Sequence, residues 1–333
     1  MAIGLASNMK VFPDQFQAGY VEVLSQNSNA FNALSAGAML LFPAMSRGHF
    51  SEEAFTQVIS GLVNRRDITS TSAQTATAIT QGSFIEPKLS RKVKEIAVTL
   101  DALRKADLAG DINQGMAVLS FTLGQQIAQA VILDYLNTGV LCLTTTLLKQ
   151  ATTNTSLLAD STTTLNYTGL IKGLKLMGDR GNGVVAWLMH SKGYYDLLGQ
   201  SVGIVTDRIA GLTIYEGTAG TMGRPVVVTD SDNLVKADGV TTGTDSYYAL
   251  GLTASSLRIK ETEQLVINDE VKNGAEQIYM SIQGEHAYNV GVKGFSYTGG
   301  LTNPDDTELG TTSKWTLASA SIKDAAGFLI EHS

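Results

Sequence analysis

Four histidines, one cysteine and a group of carboxylates are the side chains in this sequence best suited to acid–base or metal chemistry. The histidines are His49, His190, His286 and His332. None is spaced with a second histidine or with cysteine as a metal pair, and HExxH is absent. His190 ends the apolar run Val184–Met189 and precedes Ser191, so a general base working with Ser191 or Asp196 can be drawn there. A histidine at a strand end beside a helix-capping serine also has a purely structural use, which is the reading preferred here. Gly181-Asn182-Gly183 comes before a strand, not between strand and helix, and so lacks the geometry that cradles phosphate. There is no GxSxG elbow and no GxxxxGKS/T loop. Glu261, Glu263, Asp269 and Glu270 read as a solvated loop or strand face, with a weak cation site as the alternative. Cys142 lies in an apolar helix and reads as inert core. No catalytic residue, cofactor or metal site is expected.

The elements around these residues follow from periodicity and punctuation. Pro13–Leu34 reads as a helix, with a possible break at Gln26–Asn29, and Gly37–Met45 as a short apolar run stopped by Pro43. Ser51, followed by Glu52 and Glu53, opens a short helix to Leu62. Asp67–Gly82 is almost all Thr, Ser, Ala and Gln; without large apolar side chains it is flexible or pinned from outside its own fold. Leu89–Leu103 alternates as a strand, with Val93, Glu95, Ala97 and Thr99 on one face and Lys92, Lys94, Ile96 and Val98 on the other. Ile112, Met116, Leu119, Leu123, Ile127 and Val131 recur at helical spacing to about Leu136, a helix roughly 40 Å long. Gly139 suggests that a second apolar helix carries Leu141 to Leu148. The Thr/Ser-rich stretch Ala151–Thr164 is the best domain boundary. Beyond it the pattern alternates: helix Tyr167–Met177, strand Val184–Met189, helix Ser191–Leu198, a hairpin across Ile204–Tyr215, and strand Arg224–Asp230. Strands follow at Tyr247–Leu252, Leu257–Lys260, Gln277–Tyr297 and Trp315–Ile322.

Composition narrows the class. The chain has 333 residues with 44% hydrophobic and only 17% charged side chains, which excludes a disordered chain. A single cysteine excludes an intrachain disulfide framework, and a net charge of -7 argues against a basic groove for nucleic acid. Val23–Ser46 and Ile112–Leu133 lack charge, but both carry Asn and Gln that lipid would leave unsatisfied, so no membrane span is expected. Residues 1–150 hold 11 Lys/Arg and 11 Asp/Glu; the remaining 13 and 20 carry the whole of the -7. The basic residues Lys88, Arg91, Lys92, Lys94, Arg104 and Lys105, which outnumber Glu86, Glu95 and Asp101, could meet acidic surface on another copy, or simply wet a strand face.

In order, these elements are similar to the major capsid proteins of tailed bacteriophages, with the HK97-like fold. Trp187-Leu188-Met189-His190-Ser191-Lys192-Gly193-Tyr194-Tyr195 resembles the family's strand, Met-His and Tyr-bearing helix. Gly223-Arg224-Pro225-Val226-Val227-Val228-Thr229-Asp230 and the segment Gly284–Tyr297 resemble its buried and return strands. The resemblance implies an α+β fold: an N-terminal arm (1–37), an extended β-hairpin E-loop with its base (38–98), a peripheral domain with a long spine helix (99–150), an α/β axial domain (151–275) and return strands of the peripheral domain (276–333). It implies a virion shell, assembled in the host cytoplasm as hexamers and pentamers of the chain around double-stranded DNA that is contacted non-specifically. A separate scaffolding protein, a portal at one vertex and room for a decoration or cement protein belong to the same expectation. Arg47, Arg65, Arg66, Lys88, Arg91, Lys92 and Lys94 would be inter-subunit ion-pair candidates. The alternatives are an encapsulin-type cellular nanocompartment of the same fold and an α/β enzyme with a site near His190.

Overall fold

A computed structural model describes residues 20, 29, 31–33, 35–43, 50–56, 68–69, 81–99, 112–152, 158–160, 164–202, 214–215, 222–241, 244–272, 276, 279–300, 302–319 and 321–333. Arg47, Arg65, Arg66, the Ala210-Gly211 turn and all but four residues of Asp67–Gly82 lie outside the described residues. Of the expected first helix, Tyr20, Asn29 and residues 31–33 are described, and all are helical.

Two large sheets and one long helix organise the chain. The first sheet has the order β1-β10-β11-β3-β2, built from β1 (Met39–Pro43), β2 (Phe50–Thr56), β3 (Gln81–Thr99), β10 (Leu257–Lys272) and β11 (Tyr279–Val292). Only the β1–β10 pair is parallel. β1 is held in place by Asn32, whose side chain mimics a neighbouring strand: its Nδ2 donates to the Leu41 carbonyl at 3.0 Å and its Oδ1 accepts the Leu41 N–H at 2.9 Å. The second sheet runs β4-β14-β9-β5-β7-β6, with β8 pairing β9. Its strands are β4 (Leu158–Asp160), β5 (Val184–Met189), β6 (Ile214–Tyr215), β7 (Val226–Val228), β8 (Val235–Thr241), β9 (Thr244–Thr253) and β14 (Gly327–His332). A small ribbon joins β12 (Phe295–Tyr297) to β13 (Trp315–Leu317).

Beyond the helical residues near the N-terminus, the α-helices among the described residues are α1 (Ile112–Thr152), α2 (Tyr167–Met177), α3 (Ser191–Val202) and the single turn α4 (Asp306–Leu309). The 41 residues of α1 form one unbroken helix, where two were expected. At 1.5 Å per residue it is about 60 Å long. Gly139 does not end it; a Cβ there would strike the Leu257 side chain, so the glycine lets the helix lie directly on β10. Leu123–Lys149 is long and apolar enough to cross a membrane by composition alone, yet Ile127, Val131, Tyr135, Leu143 and Leu147 are buried in the core of this chain. α2 begins at Asn166, whose side chain accepts the Gly169 N–H at 2.7 Å. Asn166→Ala is expected to cost about 1 kcal/mol, measurable as a lower thermal midpoint.

Several expectations fail for identifiable reasons. The Ser51 helix is instead β2, because Phe50–Thr56 pairs residue by residue with Gln81–Pro87, and that long-range pairing overrides the capping signal. β3 starts eight residues earlier than the alternation suggests, at Gln81. Its two-residue alternation also breaks: Ile282 faces Ile96 while Gly284 faces Val93, a bulge in β3 that turns both Val93 and Ile96 inward. The carboxylate run Glu261–Glu270 lies in β10, which continues to Lys272. The Ala151–Thr164 connector contains β4, which pairs in parallel with β14. β14 itself was not foreseen: every residue from Gly327 to His332 is buried, between β4 and β9.

Candidate functional site

The basic residues of β3 separate into two groups. Lys88 is buried and ion-paired with Glu263 of β10. Arg91 joins four elements: its Nη2 meets Asp306 of α4 at 2.5 Å and Thr138 Oγ1 of α1 at 3.2 Å, and its Nε lies 3.5 Å from Asp134 of α1 and from the Tyr288 hydroxyl of β11. The Tyr288 hydroxyl in turn donates to Asp134 at 2.8 Å. Residues just before α4 brace the same strand, with Asn303 Oδ1 accepting the Ser90 N–H at 2.8 Å. Lys88 and Arg91 therefore engage carboxylates of their own chain. Lys92 and Lys94 are exposed and form no ion pair with another described residue.

Glu86, two residues before Lys88 on the same face of β3, is 2% exposed and sits between two cations. Arg258 Nη2 reaches one carboxylate oxygen at 2.8 Å and Lys260 Nζ the other at 3.2 Å. The sequence alone assigns Glu86 no role, and its one local signal is a carboxylate between the apolar Ile85 and Pro87. Gly291, which pairs with Arg258 across β10–β11, has no side chain because a Cβ would strike the Glu86 carboxylate.

Apolar side chains are exposed on three strands of the first sheet. Each edge strand carries an exposed phenylalanine, Phe42 on β1 and Phe50 on β2, and Val266 on β10 is 71% exposed. Lys92, Lys94, Glu95, Gln283 and Glu285 are exposed beside it. Lys272 meets Glu95 at 2.5 Å and holds that carboxyl below its ordinary range.

Around His190 the geometry does not activate a nucleophile. His190 Nδ1 accepts the Lys192 N–H at 3.2 Å, which leaves the ring proton on Nε2, 3.6 Å from Asp230. The Ser191 hydroxyl bonds Asp230 and not the imidazole, and this is the main reason that the Asp230 carboxyl titrates below its ordinary range. Asp196 faces Lys192 at 3.4 Å. The Tyr247 ring lies between His190 and His332, with centroids 4.9 and 5.9 Å away. Cys142 is fully buried, and burial raises its thiol pKa. No group of three or more His, Cys, Asp or Glu able to hold a metal occurs among the described residues.

His332 gives a pH prediction. Burial lowers its pKa from 6.5 to about 4, so between these values the unfolded chain is protonated there and the folded chain is not. Stability should fall as pH drops from about 6.5 towards 4, by about 1–3 kcal/mol from this group, and His332→Gln should flatten that part of the curve in urea melts. His286, also buried, titrates low for the same first reason and adds to the slope, whereas burial raises the Glu261 carboxyl and opposes it.

Comparison with known proteins gives the chain's family. No curated protein matches the chain. Structural neighbours include the capsid asymmetric unit of cyanophage Pam1, with TM-score 0.49 and 8% identity, covering 89% of this chain and 88% of that one. A structure from Mycobacterium phage Cain gives TM-score 0.49 at 10% identity over 90% and 89% of the two chains. The capsid of Myoviridae phage XM1 gives TM-score 0.47 at 11% identity over 90% of each. The model of the Gp13-like family, described as major capsid protein 13-like, matches residues 8–329. The chain therefore belongs to the Gp13-like family of major capsid proteins, and its work is structural: it forms the shell of a virion.

Proposed function

We propose that the chain assembles into hexameric and pentameric capsomers of a closed icosahedral shell, enclosing the double-stranded DNA of a tailed phage. What supports this reading most is the first sheet, whose two edge strands and β10 present Phe42, Phe50 and Val266 to solvent. Edge strands bearing exposed apolar side chains call for cover, and the neighbour in a shell supplies it. In this proposal residues 38–98 are the E-loop and its base, lying across an adjacent subunit; 1–37 are the arm, 99–150 and 276–333 the peripheral part, and 151–275 the axial part. A separate scaffolding protein, a portal at one vertex and assembly in the host cytoplasm complete it, with a decoration protein as an optional addition. Lys92 and Lys94, together with Arg47, Arg65 and Arg66, are the cations proposed to meet acidic surface on the next copy.

Negative-stain microscopy of the purified chain, expressed with its scaffolding protein, tests the reading. Shells hundreds of ångströms across that hold double-stranded DNA after infection support it. Small globules only, or shells filled with cargo enzyme, overturn it. Reversing both exposed lysines, Lys92→Glu with Lys94→Glu, is expected to leave the melt of the subunit within about 0.5 kcal/mol while reducing the yield of shells.

A further inference from the structure

Arg224 precedes β7, and its guanidinium lines an open cavity of about 300 Å³ beside α2. The cavity wall includes Ile171, Leu174, Lys175, Asp179 and Asn182. Arg224 Nη2 donates to the Gly181 carbonyl at 3.2 Å, and Nη1 lies 3.9 Å from the Met222 sulfur. No carboxylate of a described residue pairs with it. Asp179, the one acid in the wall, is already engaged by Lys323 at 2.5 Å. Partial burial lowers the Arg224 pKa, the mark of a cation that has lost water without gaining a counter-ion. Beside it, Tyr167 and Ile171 are each 47% exposed and stand one turn apart on α2, extending the apolar wall outward.

An arginine and aromatic or aliphatic side chains around a concavity make up the usual anchor of a protein interface. We propose that this cavity receives an aspartate or glutamate side chain from a neighbouring copy of the chain. The carboxylate takes the free donors of Arg224, and the residue's stem packs on Ile171 and Leu174. The partner is a second copy for two reasons. A shell protein covers its surface with copies of itself, and residues 151–333 carry 20 Asp/Glu against 13 Lys/Arg, so a neighbour offers acid in excess. The inference rests on the shell reading above and goes beyond it by naming one contact.

The test compares wild type, Arg224→Gln and Arg224→Lys, each expressed with the scaffolding protein. Both variants should keep the wild-type melting curve as subunits. Arg224→Gln should lower shell yield or resistance to dissociation by about tenfold, the loss of one charge-assisted contact per interface. Arg224→Lys, which keeps the charge without the planar fork, should fall between. In wild-type shells carrying a benzophenone amino acid in place of Ile171, the photo-cross-link should join an Asp- or Glu-bearing peptide of a second copy. Full assembly by Arg224→Gln, or cross-links only to other proteins or none, overturns the inference while wild-type shells keep the reading intact. If wild type forms no shells, both fall.

Discussion

Gly327→Ala is expected to unfold the chain or cost at least about 3 kcal/mol, seen as a collapse of the thermal midpoint of the purified subunit. Gly327 has φ +150°, in the region reserved for glycine, and a Cβ there would run into the Gly251 carbonyl of β9. The neighbour is backbone, not a side chain that can turn away, so the clash must move a strand. That strand is central: β14 lies between β4 and β9, and Phe328, Leu329 and Ile330 are fully buried. Phe328 packs edge-on against Trp187, with ring centroids 5.7 Å apart, and is the side chain that a Cβ at Gly173 or at Gly251 would strike. Shifting β14 therefore disturbs α2, β5 and β9 together. Gly183→Ala is the control: nothing lies within 4 Å of a Cβ there, and the change should be nearly neutral.

Glu86→Ala should cost about 3 kcal/mol, because it removes the buried carboxylate that Arg258 and Lys260 both face. Glu86→Gln keeps the shape and removes the charge, so a similar loss in both variants assigns the effect to charge, and a loss confined to alanine assigns it to packing. Chemical denaturation of the subunit measures each. Since Glu86 lies in β3 while Arg258 and Lys260 lie in β10, the strand β11 between them is spanned on one face by this pair of contacts. Loosening it should also weaken shells, at a lower denaturant concentration than wild type.

How far these positions could be read without coordinates depends on the range of the signal. The helical spacing of Ile127, Val131 and their neighbours is local, and α1 forms where it predicts. The same holds for α2, β5 and β7, whose apolar runs and turn residues lie within a few positions of each other. β2 was misread because Ser51-Glu52-Glu53 carries a good local cap, while its partner strand begins at Gln81, beyond any window of periodicity. β14 gave no alternation because both its faces are covered, so Gly-Phe-Leu-Ile-Glu-His has no wet side to mark it.

The site shows the same division. The sequence alone established a chain short of charge, with one cysteine, in an element order that resembles a capsid protein. Residue types and local order suffice for that, because chemistry and helix formation depend on what lies within a few residues. Which cations are consumed inside the subunit was decided by the tertiary structure. Lys88, Arg91, Lys92 and Lys94 look equivalent in a line of text. Strand pairing with β10 and the packing of α4 give the first two their own carboxylates, at Glu263 and Asp306, and the last two face solvent. Burial of charge depends on strands more than 150 residues apart meeting in one register, and a one-residue slip would exchange the two faces.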